Sequence, residues 1–329
     1  MEKPVVSIII PTYNEEKHLE FCLQSINRQN FSRKCIEIII VDDGSTDKTL
    51  QIAKKYRARI LHSGYNHIER SKSIGIAVAK GKYLLFIDAD IRLTDKNIIS
   101  LSVKLLESKL NITGVQCVYW KYSKKHTSVN RYCELYGVND PFPFYLKKRG
   151  IQSFLDNGWI YPKTLIKDYP QYYLVRFTSN TLPTLGSQGY MCSSAIIKKY
   201  TNWKPYFFHL DTTKELVDSG YNTFAMLKLE VEHDYAKTIR EFYKKLYRNL
   251  LLYYKYHSYR TYDYNIKSTN FIGALCKMLT VVTPIIDATR GFIRIHDLAW
   301  YLHPLFSFTV PFLYLYITML NFRILMKKY

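Results

Sequence analysis

The chain lacks paired cysteine motifs, a secretory pattern and an excess of acid. Its six cysteines are dispersed, none in a C-x-x-C spacing, so buried free thiols in a reducing compartment are expected rather than disulfides. The apolar run near the N-terminus is short and predicts a strand, so we expect the front of the chain in the cytosol. Acidic residues number 27 against 47 Lys and Arg, and the resulting charge of +20 favours anionic partners.

Short apolar segments alternate with helical ones through the first hundred residues. Strands are predicted at 5–10, 36–41, 58–61 and 83–87, and helices at 18–27, 46–56 and 71–79. Continuous apolar strands that alternate with helices are typical of an α/β fold, with a mostly parallel sheet and helices on both faces. Ligands bind beyond the carboxyl ends of such strands, where polar clusters stand at 11–16, 42–47 and 88–90.

Two acids, Asp88 and Asp90, follow the strand at 83–87. Residues two apart in a strand point the same way, so both carboxylates are expected on one side of the strand end. Oxygen ligands of this kind suit Mg²⁺ or Mn²⁺ and leave coordination positions for phosphate oxygens. The pair therefore predicts a metal site that neutralises a leaving diphosphate.

Four segments in the first hundred residues together resemble the family 2 glycosyltransferases, which have the Rossmann-like GT-A fold. The segments are Ser7-Ile-Ile-Ile-Pro-Thr-Tyr-Asn-Glu15, Val41-Asp-Asp-Gly-Ser-Thr-Asp47, Gly75-Ile76 with Ala79-Lys-Gly-Lys-Tyr83, and Asp88-Ala-Asp90. The resemblance implies a nucleotide-sugar donor and a Mn²⁺ or Mg²⁺ cofactor. It also implies which residues line the nucleotide and its pocket: Pro11, Tyr13, Glu15, Asp42 and Asp43.

The resemblance also assigns individual roles. Asp43 would hydrogen-bond the base, Asp88 would approach the ribose and the metal, and Asp90 would bind the metal directly. The family often has Arg-Asn where this chain has Lys72-Ser73. Lys72 is therefore expected to contact the donor instead, with Arg70 as the alternative.

The candidate general base lies later in the chain. In this family an acid at the start of a helix deprotonates the acceptor, often after another acid; here Asp211 stands alone after His209-Leu210. A helix N-cap at Asp211, in a helix beginning near Thr213, is the alternative. Segment 186–189 is expected to form the acceptor-side loop, with Trp159 and Trp203 as candidate sugar-stacking surfaces.

A basic cluster follows at 233–248. His233 is a candidate metal ligand or, alternatively, a packed histidine. Lys244 and Arg248 share one predicted helix face, where they could bind the donor diphosphate or acidic lipid. Residues 236–264 form a basic, Tyr-rich amphipathic pattern typical of a helix on a membrane surface, although a soluble packed helix is the alternative.

The C-terminal part is apolar. Residues 299–322 contain no Asp, Glu, Lys or Arg and are long enough to cross a bilayer core of about 30 Å. Residues 269–289 are a weaker candidate, because they contain Lys277, Pro284 and Asp287.

We predict a two-helix transmembrane hairpin within 267–329, after a catalytic domain at 1–235 and an interfacial region at 236–266. The hairpin would keep Lys327 and Lys328 on the cytosolic side with the catalytic domain of an integral membrane protein. Because Arg290 and Arg294 fall in the predicted connection, the alternative is one interfacial helix and a single span.

The expected function is inverting hexosyl transfer to a lipid-linked acceptor at the cytosolic membrane face. Asp211 favours a glycan hydroxyl over a polyprenyl phosphate, which needs no base. Resemblance to membrane-attached archaeal and dolichol-phosphate mannosyl enzymes implies GDP-mannose as donor, with UDP-glucose and UDP-N-acetylglucosamine as the alternatives. Nucleic acid is not expected as a partner, because the acid pair and the apolar segment argue against it. A processive synthase is disfavoured, since the Gln-x-x-Arg-Trp motif of cellulose-synthase-like relatives is absent.

Overall fold

A computed structural model describes residues 3–64, 67–201, 204–262 and 268–326. The chain divides into two compact units, and each is interrupted in sequence. The first comprises Met1–Lys121 and Tyr161–His233, and the second comprises Tyr122–Ile160 and Asp234–Tyr329. The three-part boundaries expected from the sequence stay a prediction.

The first unit contains one sheet whose strands follow in the order β3-β2-β1-β4-β9-β6-β10-β8-β7, with β5 paired to β10. The strands are β1 Val6–Thr12, β2 Ile36–Asp42, β3 Arg59–His62, β4 Tyr83–Ile87, β5 Ile91–Leu93, β6 Gly114–Trp120, β7 Leu165–Asp168, β8 Tyr172–Arg176, β9 Gln188–Ser193 and β10 Thr223–His233. Strands β1 to β4 are parallel, whereas β9 is antiparallel to both β4 and β6. The predicted α/β fold is confirmed, and the sheet is mixed because antiparallel strands occupy its second half.

Twelve α-helices lie among the described residues. They are α1 Leu19–Asn27, α2 Thr49–Lys55, α3 Ile68–Val78, α4 Ile98–Leu106, α5 Ser128–Tyr136, α6 Pro141–Tyr145, α7 Ser194–Thr201, α8 His209–Asp218, α9 Ile239–Lys255, α10 Ser268–Leu279, α11 Val282–Arg294 and α12 Leu302–Met326. Helices α5, α6 and α9 to α12 belong to the second unit. Every residue of β1 and β4 is buried, as expected for strands covered on both faces.

Helix α3 packs closely against the parallel half of the sheet. A Cβ atom at Gly75 would lie 2.7 Å from Ile9 Cγ2, so glycine permits this approach. The helix begins at Ile68 rather than at the predicted residue 71, because His67 caps it by accepting the Glu69 N–H at 3.1 Å. The earlier start brings Ser71 and Lys72 into regular helix.

The helix predicted at 269–289 is wrong as a single element. Helices α10 and α11 replace it and meet at a bend of 73°, where Val281 has a left-handed φ of 61°. Arg290 and Arg294 lie within α11, not in a connection. Within the described part of the chain, one stretch, Leu298–Asn321, is long and apolar enough to cross a membrane, and the bent pair would be a second span only if both helices crossed together.

Candidate active site

The polar clusters after β1, β2 and β4 lie at one edge of the sheet. Strand β1 pairs in parallel with β2 on one side and with β4 on the other. The chain therefore leaves β1 and β4 toward opposite sides, which opens a crevice at their carboxyl ends. Asp43 is tied to this edge by its N–H, which donates to the Thr12 carbonyl at 2.9 Å.

Asp42 shapes the loop after β2. Its Oδ2 accepts the N–H groups of Gly44 and Ser45, each at 2.9 Å. Its Oδ1 accepts the hydroxyls of Ser45 at 2.5 Å and Thr12 at 3.2 Å. Because these bonds engage both oxygens of a buried carboxylate, Asp42 supports the pocket wall from behind.

Asp43 faces helix α3. Its Oδ1 accepts the Ser71 hydroxyl at 2.7 Å. Burial raises the pKa of Asp43, and the Ser71 hydrogen bond opposes that rise. Tyr13, which directly follows Thr12 at the end of β1, is 55% exposed and can stack on a planar ring. Pro11 and Glu15 are also predicted to line the nucleotide. Pro11 is buried within β1, and the Glu15 carboxylate lies 2.8 Å from the His18 ring.

Lys72 meets the acid pair. Its buried ammonium lies 3.8 Å from Asp88 Oδ1 and 3.4 Å from Glu69 Oε1. The alternative residue, Arg70, instead donates to the Pro205 carbonyl at 3.0 Å. The structure therefore places Lys72, not Arg70, beside the predicted donor site.

Asp88 presents an oxygen suited to a cation. Its side chain is 34% exposed, yet Oδ1 is buried and accepts no hydrogen bond from the residues that the structure describes. Burial raises the pKa of Asp88, Lys72 lowers it, and the nearby Asp90 raises it further. Such a carboxylate is stabilised by added positive charge.

Asp90, in the turn after β4, lies close to His233 at the end of β10. His233 Nε2 lies 3.7 Å from Asp90 Oδ2, and its ring packs edge-on to Trp120 with centroids 5.0 Å apart. In the described ranges, no group of three or more His, Cys, Asp and Glu side chains is arranged to hold a metal. The available donors, the oxygens of Asp88 and Asp90 beside one imidazole, nevertheless have the chemistry that Mn²⁺ or Mg²⁺ accepts.

The predicted acceptor-side loop joins Asp88 directly. The Asp88 N–H donates to the Ser187 carbonyl at 3.1 Å, and the Ser187 hydroxyl is 2.8 Å from His209 Nε2. The pattern did not reveal this Ser187–His209 pair, although both residues lie in segments that it singled out. Burial, reinforced by the Lys72 charge, holds the pKa of His209 well below its ordinary value, so its imidazole stays neutral.

Asp211 lies in the first turn of α8, close in sequence to His209. The helix begins at His209, with Phe208 as its N-cap, so the N-cap alternative for Asp211 and the start near Thr213 are wrong. The side chain of Asp211 is buried, with the residue only 4% exposed. Asp211 is thus held in place at the N-terminal end of a regular helix.

Sequence comparison agrees with this geometry. The profile described as "Glycosyl transferase family 2" matches residues 7–169, which include all but the first residue of β1, strands β2 to β7 and the acid pair. The chain carries a family 2 glycosyltransferase domain.

Relatives of this glycosyltransferase domain match over limited lengths. One is the uncharacterized glycosyltransferase EpsJ of Bacillus subtilis, 35% identical over 125 residues, which are 36% of this chain and 35% of EpsJ. Another is the poly(ribitol-phosphate) beta-N-acetylglucosaminyltransferase TarS of Staphylococcus aureus, 37% identical over 90 residues, which are 26% of this chain and 16% of TarS. The chain thus spans about a third or less of these curated relatives.

A solved structure supports the fold of the glycosyltransferase domain. Mannosyltransferase PcManGT from Pyrobaculum calidifontis, in complex with GDP-Man and Mn²⁺, is similar with a TM-score of 0.55 at 14% identity. The similarity covers 93% of this chain and 85% of PcManGT. At this identity it shows the GT-A-like fold alone.

Other predicted site residues lie outside the first unit. Lys244 and Arg248 are exposed on α9 of the second unit, and their contact with the donor stays a prediction. Trp159 is buried in the second unit, which favours a packing role. Trp203 lies outside the described residues. All six cysteines are free thiols; four of them are buried as expected, whereas Cys35 is half-buried and Cys276 is exposed.

The neutral state of His209 makes the glycosyltransferase domain sensitive to acid. Below about pH 6.5 an unfolded histidine binds a proton, whereas His209 in the folded domain does not until its lowered pKa is reached. The contribution of neutral His209 to the free energy of unfolding is therefore fully present above about pH 6.5. Below that pH the free energy of unfolding falls by up to about 1.4 kcal/mol per pH unit. Denaturant unfolding of wild type and His209→Gln between pH 5 and 7.5 should show a shallower pH dependence in the variant.

The matched control is His257→Gln, which removes an exposed histidine. This control should keep the pH dependence of the wild type. Equal slopes for wild type and His209→Gln would contradict the assignment of a neutral buried imidazole.

Proposed function

We propose that this protein transfers a hexosyl unit, with inversion, from a nucleoside-diphosphate sugar to a hydroxyl of a lipid-linked glycan at a membrane surface. The observation that carries the proposal is a set of three side-chain contacts at one edge of the sheet. The Asp43–Ser71 hydrogen bond and the Lys72–Asp88 contact join the loops after β2 and β4 to helix α3. The Ser187–His209 hydrogen bond joins the loop before β9 to the start of α8. The family 2 match over residues 7–169 supports it.

The donor nucleotide is proposed to bind between Tyr13 and Asp43. The exposed Tyr13 ring offers a stacking face, and the Asp43 carboxylate can accept a hydrogen bond from a base N–H. The Ser71 hydroxyl donates to that carboxylate, and Asp42 hydrogen-bonds the turn that follows it. These interactions fix the position of the Asp43 side chain before the donor arrives. Such preorganisation lowers the entropic cost of binding.

The diphosphate is proposed to bind at Asp88 and Asp90. These residues, with His233, would hold Mn²⁺ or Mg²⁺, and a cation bound there would neutralise the leaving nucleoside diphosphate. Lys72 adds a fixed positive charge at 3.8 Å from Asp88. Its burial keeps that charge in a low-dielectric site, where it interacts strongly with phosphate.

Asp211 is proposed as the general base. The acceptor oxygen attacks the anomeric carbon as the bond to the diphosphate breaks, and its proton passes to the Asp211 carboxylate. The Ser187–His209 pair holds the adjoining loop against Asp88. Because His209 is neutral, it does not add a competing positive charge beside the base.

A polyprenyl phosphate acceptor is the second candidate. Its phosphate is already ionised and needs no base. One observation favours it: Asp211 lies in the first turn of α8, where a carboxylate stabilises the helix whether or not it takes part in chemistry. The two candidates differ in their dependence on Asp211.

Attachment to a membrane is supported by composition in the second unit. Leu298–Asn321 is long and apolar enough to interact with lipid along its length. Helix α9 adds a basic amphipathic surface that includes Lys244 and Arg248. We propose that the catalytic unit lies on the cytosolic side.

Transfer to membrane lipid extracts tests the proposal. The purified protein with Mn²⁺ is incubated with radiolabelled GDP-mannose, UDP-glucose or UDP-N-acetylglucosamine and an extract rich in lipid-linked glycans. GDP-mannose is the first donor to test because of the sequence resemblance, and UDP-N-acetylglucosamine is the second because TarS is named for that sugar.

We expect label from one donor in the lipid fraction, released by mild acid with glycan attached. Label released as the single sugar on a polyprenyl phosphate would favour the second candidate. Absence of transfer from all three donors, with metal and lipid present, would contradict the proposal.

A further inference from the structure

Helices α9 and α12 of the second unit lie side by side and run in the same direction. The Phe242 and Phe306 rings stack with centroids 4.2 Å apart. Three turns further, the Tyr254 hydroxyl lies 2.5 Å from Thr318 Oγ1. Tyr243 hydrogen-bonds Thr309 between these two contacts. Because the first and last contacts have the same sequence offset of 64 residues, the helices stay paired over about 18 Å.

This pairing puts charge at the level of the apolar stretch. By the shared offset, Lys244 lies level with Phe308 and Arg248 lies level with Phe312. Both positions are near the middle of Leu298–Asn321. Lys244 and Arg248 are exposed, so a perpendicular α12 would carry their charges into the hydrocarbon core. Charges at that depth are costly and rare.

Other neighbours of α12 are polar as well. The Tyr314 hydroxyl donates to the carboxylate of Asp140, at the start of α6. Near the other end of the stretch, buried His303 lies 2.9 Å from the Tyr145 hydroxyl through Nε2. Polar and acidic partners thus accompany one side of α12 along most of its length.

The remaining side of α12 is apolar and exposed. Its side chains recur at helical spacing and are between 42% and 58% exposed: Leu305, Phe308, Phe312, Leu315, Tyr316 and Met319. Helix α11 shows a comparable stripe of Val282, Ile285, Ile286 and Ile293. Arg290 follows Ile286 by one turn on the same face and is exposed. An apolar stripe with a cation at its margin matches the boundary between acyl chains and anionic head groups.

We propose that the second unit binds in the plane of one leaflet of an anionic bilayer, with α12 lying along the interface instead of crossing it. The exposed stripe of α12 enters the acyl region, and Arg290 beside the exposed stripe of α11 contacts the head groups. Charge complementarity selects lipid as the occupant, because exposed Arg290 borders the apolar stripe of α11 in a chain of net charge +20. The inference is independent of which sugar the protein transfers.

Site-directed labelling of the full chain distinguishes in-plane binding from spanning. In a Cys35→Ser, Cys276→Ser background, His296→Cys reports on the exposed segment between α11 and α12, and an epitope tag after Tyr329 reports on the C-terminus. Sealed membrane vesicles with the cytosolic face outward are treated with a membrane-impermeant maleimide and, separately, with protease. Lys48→Cys, exposed in the first unit, is the matched control for labelling.

Both reporters should react from outside, with the His296→Cys rate within about twofold of Lys48→Cys. Protection of His296→Cys would show a two-span hairpin and overturn the proposal. Protection of the tag would show a single span and overturn it equally.

Partition onto vesicles tests the lipid-binding stripe. Phe312→Asp with Leu315→Asp should lower the partition coefficient on phosphatidylglycerol–phosphatidylcholine vesicles by about tenfold or more, without lowering the thermal midpoint, since both side chains are exposed. Ile166→Asp, exposed in the first unit, should bind as wild type. An unchanged partition coefficient of the double variant overturns the proposal. It is overturned equally if the wild type sediments as a dimer and the double variant as a monomer that still binds vesicles, because the stripe would then cover a second copy of the chain.

Discussion

Asp90→Asn is expected to lower kcat/KM for the nucleotide sugar by about a thousandfold. The substitution removes the negative charge but preserves the size of the side chain. Charge stabilisation at a metal site is worth several kcal/mol, and about 4 kcal/mol corresponds to this factor. Saturating Mn²⁺ should restore a small part of the lost activity, because Asp88 still supplies oxygen ligands at the same strand end. The rest should not return, because the Asp90 charge is missing.

Steady-state kinetics across a Mn²⁺ titration provide the measurement for Asp90→Asn. Asp168→Asn is the matched control, since Asp168 is an exposed acid of the same unit that pairs with Lys228. It should keep wild-type kinetics. Wild-type turnover by Asp90→Asn, or activity of the wild-type protein unaffected by EDTA, would contradict a metal role for the acid pair.

Asp211→Asn is expected to stop transfer and leave donor binding nearly intact. Removal of a general base lowers turnover by about 10² to 10⁴-fold. Binding of the donor should change by less than about twofold, because Asp211 is assigned to the acceptor proton. Asp218→Asn, in the last turn of the same helix and exposed, is the matched control.

Single-turnover transfer and equilibrium donor binding separate the two effects of Asp211→Asn. A fall in kcat with unchanged donor affinity supports the base. Undiminished transfer onto a sugar hydroxyl would contradict it. Undiminished transfer onto polyprenyl phosphate would favour the phosphate acceptor.

The parallel half of the sheet and its acids could be predicted from the sequence because both depend on local pattern. Continuous β-branched runs mark buried strands, and the residues after them share one edge once the strands are parallel. Asp42, Asp43 and Asp88 are therefore where the pattern indicates. Lys72 also lies at the predicted site. Its position follows from a single helix, α3, which the local sequence pattern already indicates.

Contacts between distant segments could not be predicted in this way. The Ser187–His209 hydrogen bond joins a loop to a helix start, and β9 inserts between β4 and β6 from far along the chain. Periodicity reports which face of an element is apolar, but the partner and register of that element depend on the whole fold.

The C-terminal stretch shows the same limit. Its composition satisfies the length and polarity of a membrane span. Composition does not report that α9 accompanies α12 from Phe306 to Thr318 with lysine and arginine at its surface. Neighbouring charge, not the apolar length alone, decides between crossing and lying along a bilayer.

Calorimetric titration of nucleotide sugars into the full-length protein tests the central claim most directly. With Mn²⁺ present, one nucleoside-diphosphate sugar should bind at one site per chain. Binding should weaken by at least about tenfold in EDTA or in Asp43→Ala, and Asp218→Asn should bind as wild type. Absence of binding by every nucleotide sugar with metal present, or binding indifferent to both EDTA and Asp43→Ala, would contradict a donor site at the ends of β2 and β4.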